Sequence, residues 1–221
     1  MEDPARISQF INLPMLDFHS HRPGGIHAYN PDEASEAILS PVAAIGVHPW
    51  QSASPEVEKW LSELPALLSR PEVVALGEVG IDPNRGAPLQ QQIALAQHQL
   101  RLASEMELPA IIHAVKSYHL ILQLFDRIHP SGPWALHAYN GRGQVTAEMA
   151  RRGIFMSAGH RSSDASIASI PEHLLLAETD AYPADLITIE EIIDRIAAIR
   201  HSTPAHITDI VAANLSRFLN P

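Results

Sequence analysis

Short apolar runs alternate with amphipathic stretches along nearly the whole chain. The runs are Met15–Phe18, Val42–Val47, Val73–Leu76, Ala110–Ile112, Trp134–Leu136, Ile154–Met156 and Leu174–Ala177. Apolar runs this short and continuous predict strands covered on both faces, as in a parallel sheet. Between them, apolar residues recur at helical spacing. Ser54–Leu68 opens with Ser54 as N-cap, Pro55 at the first helical position and acids in the first turn. Pro88–Leu108 sets Leu89, Ile93, Ala96, Leu100 and Ala103 on one face. Ser117–Ile128, Gln144–Arg152, Ile187–Ile199 and Pro204–Leu219 repeat the pattern, and Ser163–Ile170 is a shorter candidate.

Strand–helix alternation over the whole chain predicts an α/β fold with a parallel sheet, either doubly wound and open or closed as a (β/α)8 barrel. The first run is followed by His19-Ser20-His21-Arg22-Pro23, where a dinucleotide-binding sheet would carry a glycine-rich phosphate loop. A TIM-type barrel is therefore expected, as a single domain over residues 1–221, near the lower size limit for that fold. Seven strands are clear. The eighth must fall within Gly24–Ser40, with Gly25–Tyr29 as its candidate, so the barrel is expected to be irregular or incomplete near residues 22–45.

Composition narrows the chemistry. An apolar fraction of 46% excludes a disordered chain. The absence of cysteine excludes a disulfide scaffold, a zinc ribbon, an iron–sulfur cluster and a thiol nucleophile. With 15 Lys+Arg against 25 Asp+Glu, the net charge of −10 argues against broad, nonspecific nucleic-acid binding. The start, Met1-Glu2-Asp3-Pro4, is acidic, unlike a signal peptide, and no run is long enough to span a bilayer. A cytoplasmic monomer with no membrane association and no obligate protein partner is expected. Thirteen histidines are out of proportion, so their positions matter.

The active site of a barrel forms at the C-terminal ends of its strands. There the runs close on His19 and His21, His48, Glu78, His113, His137, His160, and Glu178 with Asp180. One such residue is ordinary: a lone histidine is usually hydrogen-bonded filler and a lone aspartate usually caps a helix. The same choice at the same end of every strand indicates a site. His19 and His21, two apart on a strand, face the same way. Imidazoles converging with carboxylates suit Zn2+, Mn2+ or a similar divalent ion better than Mg2+ alone. His19, His21, Glu78, His113, His137 and Asp180 exceed the needs of one tetrahedral ion, which favours two divalent metal ions that activate water. The only lysines, Lys59 and Lys116, are badly placed to bridge the ions, which leaves Glu78 as the anionic bridge. Asp180 is placed to ligate an ion and accept the water proton, so Glu78 and Asp180 are the catalytic candidates.

Arg22, Arg85, Lys116, Arg142 and Arg161 each follow a strand end within a few residues, and form a candidate positive collar for phosphate oxygens. Trp50, Tyr118, Tyr139 and Tyr182 are placed to stack on bases. His48 is a candidate for orienting a ligand or phosphate, and His160 for the rim. His27, His98, His119, His129, His173, His201 and His206 are assigned to surface or packing.

Six blocks carry a family resemblance: Asp17-Phe18-His19-Ser20-His21; Gly46-Val47-His48-Pro49; Ala75-Leu76-Gly77-Glu78-Val79-Gly80-Ile81-Asp82; Pro109-Ala110-Ile111-Ile112-His113; Leu136-His137-Ala138-Tyr139-Asn140-Gly141; and Leu175-Leu176-Ala177-Glu178-Thr179-Asp180-Ala181. In this order the chain resembles the TatD family of metal-dependent hydrolases. The resemblance implies a TIM-barrel hydrolase with deoxyribonuclease activity, often 3′ to 5′ exonuclease. It implies one ion among His19, His21, Glu78 and Asp180, and another among Glu78, His113 and His137. The chain departs from the family in a compressed segment between His21 and Gly46, and at Pro83, Val115, Ala138-Tyr139 and Pro183. The expected function is a binuclear metal-dependent phosphodiesterase acting on DNA. Hydrolysis of a small amide, ester or lactone is the alternative, and a non-catalytic barrel is opposed by the intact ligand set.

Overall fold

The computed structural model describes residues 16–37 and 42–220. Met15, the acidic N-terminal residues and residues 38–40 of the interval holding the eighth strand lie outside the described residues. The strands are β1 (Asp17–Ser20), β2 (Gly25–Tyr29), β3 (Ala43–Ile45), β4 (Val73–Ile81), β5 (Ala110–Ala114), β6 (Trp134–Leu136), β7 (Phe155–Ala158) and β8 (Leu175–Ala177). The helices are α1 (Ala34–Ala37), α2 (Val57–Leu68), α3 (Leu89–Glu105), α4 (Tyr118–Ile128), α5 (Gln144–Arg151), α6 (Asp164–Ser169), α7 (Ile189–Ile199) and α8 (Pro204–Leu219).

Each strand pairs in parallel with the next, and β8 returns to β1 through Ala177 and Asp17. The sheet is thus a closed eight-stranded barrel, and the open alternative is excluded. The weak candidate Gly25–Tyr29 is the missing strand. Its Gly-Ile-His-Ala-Tyr sequence hides it, because a histidine interrupts the apolar run. The barrel closes where a gap was allowed for, and among the described residues irregularity takes the form of register shifts between Asp17 and Ser20, between Ala43 and Ala44, and between Leu76 and Val79. Glycine at position 25 lets β2 approach β1: a Cβ there would lie 2.7 Å from the Asp17 carbonyl oxygen.

Alternation along the strands sorts side chains between the barrel and its helical jacket. Phe18 points outward and meets Phe218 of α8 edge to face at 5.2 Å, and Trp134 meets Phe125 of α4 at 5.1 Å. Their neighbours His19 and Ala135 are fully buried. β4 is longer than the run that announced it. It continues through Glu78 to Ile81 with every residue buried.

Two helix ends differ from expectation. Helix α2 begins at Val57, because Ser54 Oγ accepts the Glu56 amide in a local turn and does not cap the helix. Helix α3 stops at Glu105: Glu107 takes a left-handed conformation (φ 55°) and Leu108 donates back to the Ala103 carbonyl. Ser163, Thr188 and Thr203 cap α6, α7 and α8 with their side chains. Among the described residues, no helix is long and apolar enough to cross a membrane.

Candidate metal centre

The barrel gathers the strand-end residues around one carboxylate. Glu78 projects from inside β4, where a Cβ at Gly80 would collide with the His113 carbonyl, so glycine permits the close β4–β5 approach. His19 lies in β1, and His21 follows with its amide donated to the Ala181 carbonyl at 2.9 Å. The Asp180 amide returns to the His19 carbonyl at 3.1 Å. Asp180 itself is left-handed (φ 48°), a conformation that aspartate tolerates better than most residues. His113 lies near the end of β5 and His137 directly follows β6.

The two Glu78 oxygens face different groups. Oε1 lies 3.4 Å from His19 Nε2 and 3.5 Å from His21 Nε2. Those same nitrogens lie 3.7 and 3.5 Å from Asp180 Oδ1. Oε2 lies 2.9 Å from His137 Nε2, 3.5 Å from His113 Nδ1 and 3.7 Å from His48 Nε2. His113 Nδ1 and His137 Nε2 are 2.8 Å apart. All six residues proposed as ligands are thus brought together, and His48 joins them.

The donor set fits divalent cations. His19 Nε2, the nitrogen that faces both Glu78 and Asp180, is buried with no hydrogen-bond partner. Such an orphaned atom is costly unless something ligates it. Among the described residues, three groups have donor atoms close enough together for an ion: His19, His21 and Glu78; His19, His137 and Asp180; and His48, Glu78 and His113.

Charges are strongly coupled here. Burial alone would raise the Glu78 carboxyl, but the surrounding imidazoles, His137 foremost, hold it well below the usual carboxylate range. Burial would lower His137 and His19, yet the Glu78 charge pulls His137 well above, and His19 above, its ordinary value. His113 moves down, because burial prevails over Glu78. For Asp180, burial is outweighed by His21, His137 and His19, so its carboxyl is lowered. Protons on His19 and His137 therefore compete with any cation for the same lone pairs.

Two carboxylates to which the sequence reading gave no role stand behind the Oε2 side. Asp82 Oδ2 lies 3.7 Å from His113 Nε2, and Glu178 Oε1 lies 3.8 Å from His137 Nδ1. Each faces the ring nitrogen turned away from Glu78, where a carboxylate orients a metal-ligating imidazole. Asp82 also accepts the Trp50 indole N–H at 2.7 Å, and Glu178 accepts the Ala138 amide at 2.5 Å. Both acids stand in the quoted blocks, which was the available signal.

A cavity of about 480 Å³ opens above the centre, walled by Tyr29, His48, Trp50, Arg161 and Tyr182 among others. His27, assigned to surface or packing, is part of this wall and stacks on Tyr29 at 4.1 Å. Its position two residues before Tyr29 on a strand was the signal that placed both on one face.

The proposed collar is largely engaged elsewhere. Arg161 reaches the cavity, but Nη1 donates to Asp180 Oδ2 at 2.7 Å. The Arg22 guanidinium is tied to the carbonyls of Asp185 and Ile187, because β1 and β8 are neighbours and it braces the loop between β8 and α7. Arg85 lies over the Trp50 ring, 4.2 Å from its centroid. Lys116 and Arg142 are exposed and do not line the cavity, whose wall also includes Glu33 and Glu36.

The aromatic candidates divide as well. Trp50 and Tyr182 are 39% and 44% exposed at the mouth, with Tyr182 stacked on His21 at 4.5 Å. Tyr139 is fully buried, and the Tyr118 hydroxyl accepts the Asn140 amide, so both pack the structure. His160, on the rim and exposed, contacts the Thr179 carbonyl at 3.0 Å.

Comparison with known proteins gives a consistent result. The family model described as TatD related DNase matches residues 30–220. The chain is 37% identical over 155 residues to a protein of Cronobacter turicensis named 3′-5′ ssDNA/RNA exonuclease TatD, covering 64% of this chain and 58% of that protein. It is 32% identical over 197 residues to the protein of that name from Cronobacter sakazakii, covering 78% and 74%. Thus the match spans less than two thirds of the first relative's length. In fold, the chain superposes on YJJV, a TatD homologue of Escherichia coli K12, with a TM-score of 0.78 and 22% identity, over 89% of this chain and 86% of that one. A TatD family hydrolase of Entamoeba histolytica gives a TM-score of 0.77 at 19% identity, over 98% and 88%.

Proposed function

The chain belongs to the TatD-related DNase family, and from that premise we propose that it is a metal-dependent phosphodiesterase that removes nucleotides from the 3′ end of single-stranded nucleic acid. The observation that carries the reading is the division of Glu78, with one oxygen toward His19 and His21 and the other toward His113 and His137. In this reading His19, His21, Glu78 and Asp180 would hold one divalent ion, and Glu78, His113 and His137 would hold a second. Such ions, when bound, acidify a water and offset phosphoryl charge.

The remaining work falls to this chain's own residues. Asp180 stays ionised, since its carboxyl is lowered, and accepts the Arg161 hydrogen bond that fixes its orientation. Arg161, more than half exposed, keeps donors for a substrate phosphate oxygen. Trp50 and Tyr182 offer stacking faces at the mouth. The names of the Cronobacter relatives support the substrate class. One barrel over residues 1–221, acting as a monomer, is part of the same proposal.

The wall residues Glu33 and Glu36 favour a second reading, in which a small, uncharged amide, ester or lactone enters the cavity and a polyanion is repelled. A substrate panel separates the two. Purified protein with Mg2+, Mn2+ or Zn2+ is expected to release mononucleotides from single-stranded DNA or RNA. Cleavage of carbonyl substrates with no release from either nucleic acid overturns the proposal in favour of the second reading.

A further inference from the structure

His48 shares a group with Glu78 and His113 whose donor atoms lie within 4.8 Å of one another, so by spacing alone it counts as another metal ligand. Its hydrogen bonding contradicts that role. His48 caps the single 3-10 turn Pro49–Gln51, and its Nδ1 accepts the backbone N–H of Trp50 at 3.2 Å. Pro49 has no N–H, so Trp50 supplies the first free amide of the turn. An amide only donates. Nδ1 therefore presents its lone pair to Trp50, and the neutral ring carries its proton on Nε2.

Nε2 is the nitrogen turned toward the centre, 3.7 Å from Glu78 Oε2. With a hydrogen on it, Nε2 has no lone pair for a cation. The ring is held in this setting from several sides. It meets Trp50 edge to face at 4.8 Å and His113 at 4.6 Å. The Trp50 indole is pinned by Asp82 on its N–H and covered by Arg85. The His48 amide donates to Asn30 Oδ1 at 3.3 Å.

We infer that His48 is a fixed hydrogen-bond donor to the substrate, its Nε2–H serving an anionic oxygen of the scissile group, and not a metal ligand. The His-Pro-Trp sequence then encodes a tautomer: the capped turn sets which nitrogen holds the proton. No proton is transferred; the bond strengthens as charge grows on the substrate oxygen, which is how a preorganised donor accelerates reaction. The oxygen's being phosphoryl rests on the phosphodiesterase reading, whereas the donor assignment does not.

Two substitutions separate the cap from the donor. His48→Asn keeps an acceptor for the Trp50 amide but does not reach as far as Nε2. His48→Gln places an amide N–H near the Nε2 position. The expected result is a kcat loss on the order of 10²-fold for His48→Asn, recovery to within about tenfold for His48→Gln, and a bound-ion count equal to wild type in both. In long-range 1H–15N spectra of metal-loaded, 15N-histidine-labelled protein, the ring signals missing from both variants should show the Nε2–H tautomer. An Nδ1–H tautomer, loss of an ion in either variant, or wild-type kcat in His48→Asn overturns the inference. If wild type releases no nucleotides yet shows the Nε2–H tautomer and an unchanged ion count in the variants, the phosphodiesterase reading fails and the donor assignment stands.

Discussion

The two sides of the Glu78 carboxylate are built differently. On the Oε1 side, two histidines from the end of β1 face a second carboxylate, Asp180, which Arg161 holds in place. On the Oε2 side, three imidazoles crowd one oxygen, and the other acids, Asp82 and Glu178, stand behind the rings. The first side concentrates negative charge on the lone pairs themselves. The second gains negative charge indirectly, through carboxylates that stand behind the rings. One shared oxygen pair thus joins a charged, hard pocket to a softer, imidazole-rich one, and the two are expected to differ in metal affinity and selectivity.

The largest test of that contrast is Glu78→Gln, which keeps the shape and removes the charge common to both sides. Both ions should bind weakly, and activity should fall by on the order of 10³-fold, measured by metal analysis and nucleotide release. Single-sided changes come next. His113→Ala should lower the ion count from about two per chain to about one while the His19–His21–Asp180 side stays filled. Asp180→Asn should do the converse, and identical losses from both would erase the distinction. Smaller effects are expected from the carboxylates behind the rings. Asp82→Asn and Glu178→Gln should weaken only the Oε2-side ion, by roughly 10–100-fold in a metal titration.

The smallest effect is in the pH dependence. His19 and His137 are raised by Glu78, so they retain protons near neutrality that a cation must displace. Metal binding should release protons, and apparent affinity should climb with pH by up to about tenfold per unit for each proton released. The climb should end once pH exceeds the raised value for His137. Calorimetry in two buffers of different ionisation enthalpy reads the proton count. Proton uptake, or affinity that falls with rising pH, would reverse the charge assignment.

Much of this site was legible because barrel topology turns position along the chain into position in space. His19 and His21 could be placed on one face from their spacing, and the strand-end rule collected His113, His137 and Asp180 from distant segments. Strand β2 was nearly invisible, because His27 and Tyr29 put polar atoms where the other strands carry aliphatic ones. The extent of β4 was also hidden: the apolar run stops at Leu76, but Gly77 and Gly80 admit β5 at close range and leave Glu78 inside the strand. The basic collar comes together only in part, for a different reason. Sequence places a residue on a loop but does not show what its long side chain will bind, and the guanidiniums of Arg22 and Arg85 met carbonyls and an indole before any substrate. Asp82 and Glu178 were present in the quoted blocks but had no role, because a carboxylate acting through an imidazole is recognised only by which ring nitrogen it faces.

The central claim is that Glu78 divides one centre into two metal positions. Anomalous diffraction from crystals of the protein grown with Mn2+ tests it most directly. The predicted map has two peaks, one shared by Glu78 Oε1, His19, His21 and Asp180, the other by Glu78 Oε2, His113 and His137, with no peak ligated by His48. A single peak, or a peak that His48 ligates through Nε2, would contradict the account.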